Sequence, residues 1–363
     1  MSRSSVIIAA LLMNCAALTG LLFIAPSATH AADPESCAPA DGLSFICGVR
    51  SPEDLVPLPG SRYIIASGMV EGSGLHLVDT AAKTARSWTA KPPSAASPIY
   101  HDCAAPPAPD KFVAHGLNIR QQDQGRETLY VVNHRGRETI EVFGIDSHSA
   151  EPDLTWVGCI AMPAGLSANS VASAPDGAIF ATVLIHPGTS FADLIAQRPT
   201  GAVYVWRPGS SGFQRVWGTE LAGDNGVEVS PDGRTIYVAA TGQSAVAIFS
   251  NSNPANLVRM VATPAFYPDN VHWVDGRLLV AGMNLDEPAC GGRFQVGNGV
   301  ANFTCPRGYV VAAIDPVTTA ITTVASGPAT PGYTGVATGL VVGATLWLGS
   351  FVADIWISGC SER

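Results

Sequence analysis

The sequence predicts an all-β fold, a six-bladed β-propeller with four-stranded blades, on three observations. The 363 residues contain 37 Gly and 27 Pro but only 13% charged side chains, so turns are many and long polar helices few. A turn followed by a short apolar strand recurs six times along the chain. Each copy is followed by a second short strand, at a repeat spacing of about 40 to 70 residues, the range of propeller blades.

Taken in order, the first strands are Pro59-Gly-Ser-Arg-Tyr-Ile-Ile-Ala-Ser67, Gly125-Arg-Glu-Thr-Leu-Tyr-Val-Val-Asn133 and Pro175-Asp-Gly-Ala-Ile-Phe-Ala-Thr182. Pro231-Asp-Gly-Arg-Thr-Ile-Tyr-Val-Ala239, Val274-Asp-Gly-Arg-Leu-Leu-Val-Ala281 and Val342-Gly-Ala-Thr-Leu-Trp-Leu-Gly349 complete the set. The second strands are Leu75–Asp79, Ile140–Gly144, Val203–Trp206, Val246–Phe249, Val310–Ile314 and Ile355–Ile357. Pro-Asp-Gly and similar turns supply the tight reversals between antiparallel neighbours. One four-stranded sheet cannot bury both faces alone, so the blades stack about an axis. A β-sandwich with irregular loops is the rival arrangement, and six paired motifs favour the ring. Closure is expected to pair a strand near Leu43–Val49 with the last blade. Residues 32–363 read as one domain.

Residues 1–31 read as an export signal: Arg3, an apolar run from Val6 to Ile24, then small residues up to Thr29-His30-Ala31. A membrane anchor is the alternative for that run, but the small residues after it favour cleavage, so the mature chain is expected in a periplasm or secreted, without a stable membrane anchor. Of eight cysteines, Cys15 leaves with the signal. In an oxidising compartment the other seven are expected to form three disulfides with one thiol left over: Cys290 with Cys305, Cys103 with Cys159, and Cys360 back to Cys37 or Cys47. The balance of 20 basic against 29 acidic residues gives no footprint for nucleic acid or an anionic membrane.

The polar residues about ten positions before each strand landmark fall at matching places in the ring: Glu53-Asp54, His115, Asn169, Asp224-Asn225-Gly226 and Asp269-Asn270. Carboxylates and amide oxygens converging on one axis suit Ca²⁺, which accepts six to eight hard oxygen ligands. Glu53 and Asp269 would balance the double charge, and Asn169, Asn225 and Asn270 would add neutral oxygens. Any single Asn or Asp also reads as a turn residue capping its own backbone, and Asp176 and Asp232, within Pro-Asp-Gly turns, are assigned that role. Gly116 beside His115 marks a sharp bend or a close approach. His115 and His134 together admit three readings: a general-base pair, a metal site, or two satisfied polar residues of a β core.

Ser51-Pro-Glu53-Asp54-Leu55, His115-Gly116, Val131-Val-Asn-His134, Asn225-Gly226 with Ser230-Pro-Asp-Gly233, and Asp269-Asn270 occur in an order that resembles the paraoxonase/arylesterase pattern, within the wider gluconolactonase and senescence-marker-type superfamily of calcium-dependent propellers. The resemblance spans about Leu43 to Cys360. It implies catalytic Ca²⁺ on Glu53, Asn169, Asn225, Asp269 and Asn270, a His115–His134 dyad, and hydrolysis of lactones and activated esters. It also implies a disulfide from Cys360 to the N-terminal segment. A second, structural calcium would draw on Asp54 and the Leu117 carbonyl, but its third ligand, an aspartate in the family, is Ser170 here.

These parts make a small-molecule lactone or ester the expected substrate. Calcium would polarise the carbonyl, His115 would take a proton from water, and His134 would orient it. His134 also reads as an ordinary strand-end residue, and His76, His101, His148, His186 and His272 have no partner motif. No G-x-S-x-G elbow, P-loop or dinucleotide fingerprint occurs. The competing function class is a non-catalytic propeller that keeps calcium to pin its blades and serves as a binding or scaffold module.

Overall fold

A computed structural model describes residues 37–361 apart from 94, 96, 123–125, 148–150, 298–300, 331 and 353–356. The predicted signal, residues 1–31, lies outside the described residues, as does His148. Among the described residues, twenty-four strands form six four-stranded antiparallel sheets. After β1 (Ser44–Ile46), blade one is β2 (Leu55–Pro57), β3 (Tyr63–Gly68), β4 (Gly74–Asp79) and β5 (Thr84–Ser87). Blade two is β6 (Val113–Gln121), β7 (Arg126–His134), β8 (Thr139–Asp146) and β9 (Asp153–Ala161), and blade three is β10 (Val171–Ser173), β11 (Ile179–Val183), β12 (Ala202–Trp206) and β13 (Gln214–Arg215). The helix α1 (Phe191–Ile195) interrupts the β11–β12 connection. Blade four is β14 (Asp224–Val229), β15 (Thr235–Ala240), β16 (Ala245–Ser250) and β17 (Leu257–Ala262). Blade five is β18 (Phe266–Val274), β19 (Arg277–Asn284), β20 (Tyr309–Ile314) and β21 (Ile321–Gly327), with α2 (Ala301–Thr304) in its β19–β20 connection. The remaining sheet holds β22 (Val336–Val342), β23 (Thr345–Ser350), β24 (Ile357–Ser361) and β1.

Counting the paired motifs as six equivalent blades needs a correction. Only five blades are runs of four consecutive strands; the remaining sheet is composite and takes its outer strand, β1, from the other end of the chain. Ser44, Phe45 and Ile46 pair with Gly359, Ser358 and Ile357. The predicted strand at Ile355–Ile357 is also displaced: β24 begins at Ile357, and 355–356 lie outside the described residues.

The first strand of each sheet touches the first strands of its two neighbours, β2 with β6, β6 with β10, β10 with β14, β14 with β18, β18 with β22 and β22 with β2. These strands therefore line the axis. The second strands explain the unbroken apolar runs of the sequence, because both of their faces are buried. In β7, Leu129 and Val131 join the hydrophobic cluster shared with blade one, while Tyr130 and Val132 join the one shared with blade three. In β3, Ile65 faces blade two and Ile64 faces the composite sheet.

Cys103–Cys159 and Cys290–Cys305 are bonded as the spacing predicts. The pairing of Cys360 with Cys37 or Cys47 is overturned, because Cys37 and Cys47 bond each other. They flank a tight reversal, Ala40 bridging Leu43, that brings their Cα atoms to 6.1 Å. Ring closure thus rests on the β1–β24 backbone ladder and on packing of Leu43 and Ile46 rather than on a covalent staple between the termini. A chain that begins at Gly48, and so lacks β1, is predicted to melt well below the full mature chain in thermal denaturation; an unchanged melting temperature would contradict this closure.

Candidate functional site

One device places the polar residues on the axis. In β6, β14 and β18 the ladder to the second strand slips, so that two residues oppose one: His115-Gly116, Asn225-Gly226 and Asp269-Asn270. Such bulges re-aim side chains. In blades one and three the equivalent pairs, Glu53-Asp54 and Asn169-Ser170, sit just before the short strands β2 and β10. Each pair is followed by a buried apolar residue, Leu55, Leu117, Val171, Val227 or Val271, which anchors it in the core.

The two glycines in these pairs answer a steric demand. A Cβ on Gly116 would lie 2.7 Å from the Asn169 carbonyl oxygen, and one on Gly226 would lie 2.5 Å from that of Asp269. Glycine is the residue that tolerates such approach. Hydroxyls tie the blades at the same level. Thr182 Oγ1 donates to the Asn225 carbonyl at 2.5 Å, and Thr241 Oγ1 donates to the Pro268 carbonyl at 2.7 Å.

A cavity of about 570 Å³ opens over this ring, and Glu53, His115, Asn169, Asn225 and Asp269 line its floor. Asn270 lies beside it and donates to Glu53 Oε1 at 2.7 Å, so it fixes the carboxylate. Three buried oxygens of the residues lining this cavity have no hydrogen-bond partner: Glu53 Oε2, Asn169 Oδ1 and Asn225 Oδ1. An unpaired buried polar group costs about 1–3 kcal/mol, and all three are acceptors. Among the described residues no three His, Cys, Asp or Glu side chains cluster as a metal site; the donor set here is carboxylate plus amide oxygen, which fits a hard cation such as Ca²⁺.

Electrostatics point the same way. Burial, then the charge of Asp54, holds the Glu53 carboxyl well above the usual range. Burial, then the charge of Glu53, does the same to Asp269, offset in part by a hydrogen bond from Asn225. Two buried carboxylates pushed up by burial and by neighbouring carboxylate charge need either protons or a cation.

The histidines form a relay. His115 Nδ1 lies 2.9 Å from His134 Nε2, and His134 Nδ1 lies 2.7 Å from Glu138 Oε2. A carboxylate only accepts, so His134 Nδ1 carries the proton, its Nε2 accepts from His115 Nδ1–H, and His115 Nε2 keeps a free lone pair. That nitrogen points to the ring of oxygens, 3.6 Å from Glu53 Oε2. Burial lowers the His115 pKa to about 4, so the imidazole is neutral at pH 7. Glu138 escaped sequence reasoning. Its signal was a Glu four residues after His134, folded back by a turn in which Arg135 and Gly136 take φ of 64° and 65°.

The residues assigned to a second calcium do not fit one. Asp54 Oδ2 accepts from the Leu117 N–H at 2.8 Å, and Oδ1 accepts from Leu55 N–H at 2.9 Å and pairs with His272 Nε2 at 2.6 Å. Ser170 Oγ accepts from the Val227 N–H. Burial alone would lower His272, but the charge and hydrogen bond of Asp54, with Glu228 and Glu53, outweigh it and raise the pKa to about 9. His272, which had no partner motif in the sequence, therefore puts a positive charge against Asp54.

The model of the SMP-30/gluconolactonase/LRE-like family matches residues 70–329. No curated protein matches the sequence. Among solved structures, a luciferin-regenerating enzyme is similar with a TM-score of 0.53 at 13% identity, over 87% of this chain and 92% of that one. A gluconolactonase from Xanthomonas campestris is similar with a TM-score of 0.50 at 17% identity, over 86% of this chain and 87% of that one. At these identities the likeness shows the fold.

Because Glu53 and Asp269 hold protons more tightly when buried, a cation must displace those protons, and its hold weakens as pH falls. Added Ca²⁺ is predicted to raise the melting temperature at pH 8 by several degrees and much less at pH 5. An equal rise at both pH values, or none, would contradict the site.

Proposed function

The chain belongs to the SMP-30/gluconolactonase/LRE-like family, and from that premise and the site's geometry we propose that it is a calcium-dependent hydrolase of lactones and activated esters. The observation that carries this is one cavity lined by three residues with unpartnered oxygens, Glu53 Oε2, Asn169 Oδ1 and Asn225 Oδ1, and by His115, whose Nε2 lies 3.6 Å from Glu53 Oε2. Glu53, Asp269, Asn169 and Asn225 would hold the ion, with Asn270 completing the set or fixing Glu53. Bound calcium supplies a Lewis acid for a carbonyl oxygen and for the charge it gains in the tetrahedral state.

The chain's own groups handle the proton. His115 Nε2 accepts it from water as water attacks the carbonyl carbon. His134 steadies the resulting imidazolium by accepting from His115 Nδ1–H, and the Glu138 carboxylate fixes the His134 tautomer. When the tetrahedral state collapses, the His115 Nε2–H returns the proton to the leaving alkoxide. The low basicity of His115 extends its neutral, competent form down the pH scale. Export to an oxidising compartment, the reading of residues 1–31, is consistent with the three disulfides.

Turnover of a lactone panel and phenyl acetate is predicted to vanish with EDTA and return with Ca²⁺. No turnover, with a calcium-dependent melting temperature, would favour the non-catalytic propeller. His115→Gln is predicted to lose about 10²-fold or more in kcat while keeping its calcium-dependent melting temperature; unchanged turnover would point to another base. The acid limb of kcat/KM is predicted below pH 6, because burial pulls His115 toward about 4; a limb at the ordinary histidine value of 6.5 would contradict the assignment.

A further inference from the structure

An asparagine amide carries an acceptor at one end and two N–H donors at the other, and only the oxygen can face a cation. In the ring of oxygens, Asn225 lines the cavity and leaves Oδ1 without a hydrogen-bond partner. Two neighbours turn the amide that way. Its Nδ2 donates to Thr241 Oγ1 at 3.1 Å, and a second hydrogen bond from Asn225 reaches the Asp269 carboxyl.

Thr241 is the neighbour whose polarity is fixed. A hydroxyl has one proton, and Thr241 gives it to the Pro268 carbonyl at 2.7 Å, a group that only accepts. Toward Asn225 the hydroxyl is left with lone pairs, so the end of the amide that meets it is the N–H end. An amide turned the other way would set Oδ1 against those lone pairs with no proton between them. Backbone contacts pin Thr241 in turn. It begins the short 3₁₀ turn Thr241–Gln243 after β15, its N–H donates to the Gly223 carbonyl at 3.1 Å, and the Gly242 N–H donates to the Ala222 carbonyl at 2.9 Å. A Cβ on Gly242 would lie 2.5 Å from the Leu194 carbonyl oxygen, so the turn is wedged against α1. Thr182 also ties two blades, but it meets the Asn225 carbonyl and the Ser170 N–H, both backbone groups, and no ligand side chain.

We propose that Thr241 is a positioning residue for the cation: its hydroxyl, spent on the Pro268 carbonyl, holds the Asn225 amide with Oδ1 toward the ion. This rests on the calcium reading of the ring. The role makes a demand that a tie between blades does not. Only an amide needs turning, because a carboxylate at the same position carries an acceptor at both ends. Thr241 therefore matters to calcium through Asn225 and is dispensable to an aspartate there. Outer partners that orient metal ligands contribute about 10- to 100-fold in affinity.

Calorimetric Ca²⁺ titration of the metal-free mature protein tests this as a double-mutant cycle. Thr241→Val removes the hydroxyl at nearly constant volume and is predicted to weaken Ca²⁺ binding by about tenfold or more. Thr241→Ser keeps the hydroxyl and is predicted to bind as the wild type does. In an Asn225→Asp background, Thr241→Val is predicted to leave Ca²⁺ affinity unchanged, although it lowers the metal-free melting temperature in both backgrounds through the lost bond to Pro268. Thr182→Val is predicted to lower that melting temperature with a smaller loss of affinity than Thr241→Val. Should Thr241→Val not fold, Thr241→Cys takes its place with the same expectations, since its sulfur is a weak acceptor. Equal losses in both backgrounds, no recovery with serine, or an equal loss in Thr182→Val would make Thr241 an ordinary blade tie and overturn the proposal. Wild-type binding that Thr241→Val leaves intact would overturn it too while sparing the calcium reading. A wild type that binds no Ca²⁺ would sink both.

Discussion

Two carboxylates that cannot both stay charged in a dry ring are the constraint around which this propeller is arranged. Glu53 and Asp269 come from blades one and five, yet burial raises both, with the charge of Asp54 adding to Glu53 and the charge of Glu53 adding to Asp269. Like charges in a low-dielectric site cost several kcal/mol unless a proton or cation intervenes. Much of the local architecture acts to hold them there. Bulges turn the inner strands, glycines let neighbouring pairs approach, and threonine hydroxyls in or just after one blade's second strand tie it to the next blade's first. Asn270 bridges blade five to Glu53 directly.

Below this ring the tunnel solves a related problem differently. Asp54, fully buried, is neutralised by His272 and by two backbone N–H groups. A charge-assisted pair inside the protein replaces what a metal would otherwise supply. The upper ring has oxygens without donors, and the lower one has donors matched to its oxygens. Adjacent in sequence, Glu53 leaves one oxygen without a donor while Asp54 has both of its oxygens matched.

The sequence made the repeat, the sheet-by-sheet organisation and the polar positions of the ring legible, because strand periodicity and turn chemistry are local. Leu129-Tyr-Val-Val read as a strand since both its faces are apolar, and the structure buries both. Gly116 was legible as a close approach, though not which backbone it meets. What stayed hidden depends on contacts across the ring. Nothing local says that Cys37 closes on Cys47 rather than on Cys360, that Glu138 folds back under His134, or that His272 finds Asp54 from more than two hundred residues away. The composite sheet likewise joins both ends of the chain, so its outer strand could only be anticipated as a closure.

The most direct test of the central claim is calorimetric titration of metal-free mature protein with Ca²⁺, repeated on Glu53→Gln and Asp269→Asn. One ion per chain is predicted, with binding lost or weakened by about tenfold or more in either variant. Absence of binding, or binding that both variants leave intact, would show that the ring of oxygens is not a cation site. A second equivalent ion would show that Asp54 and His272 do not form the metal-free pair seen in the structure.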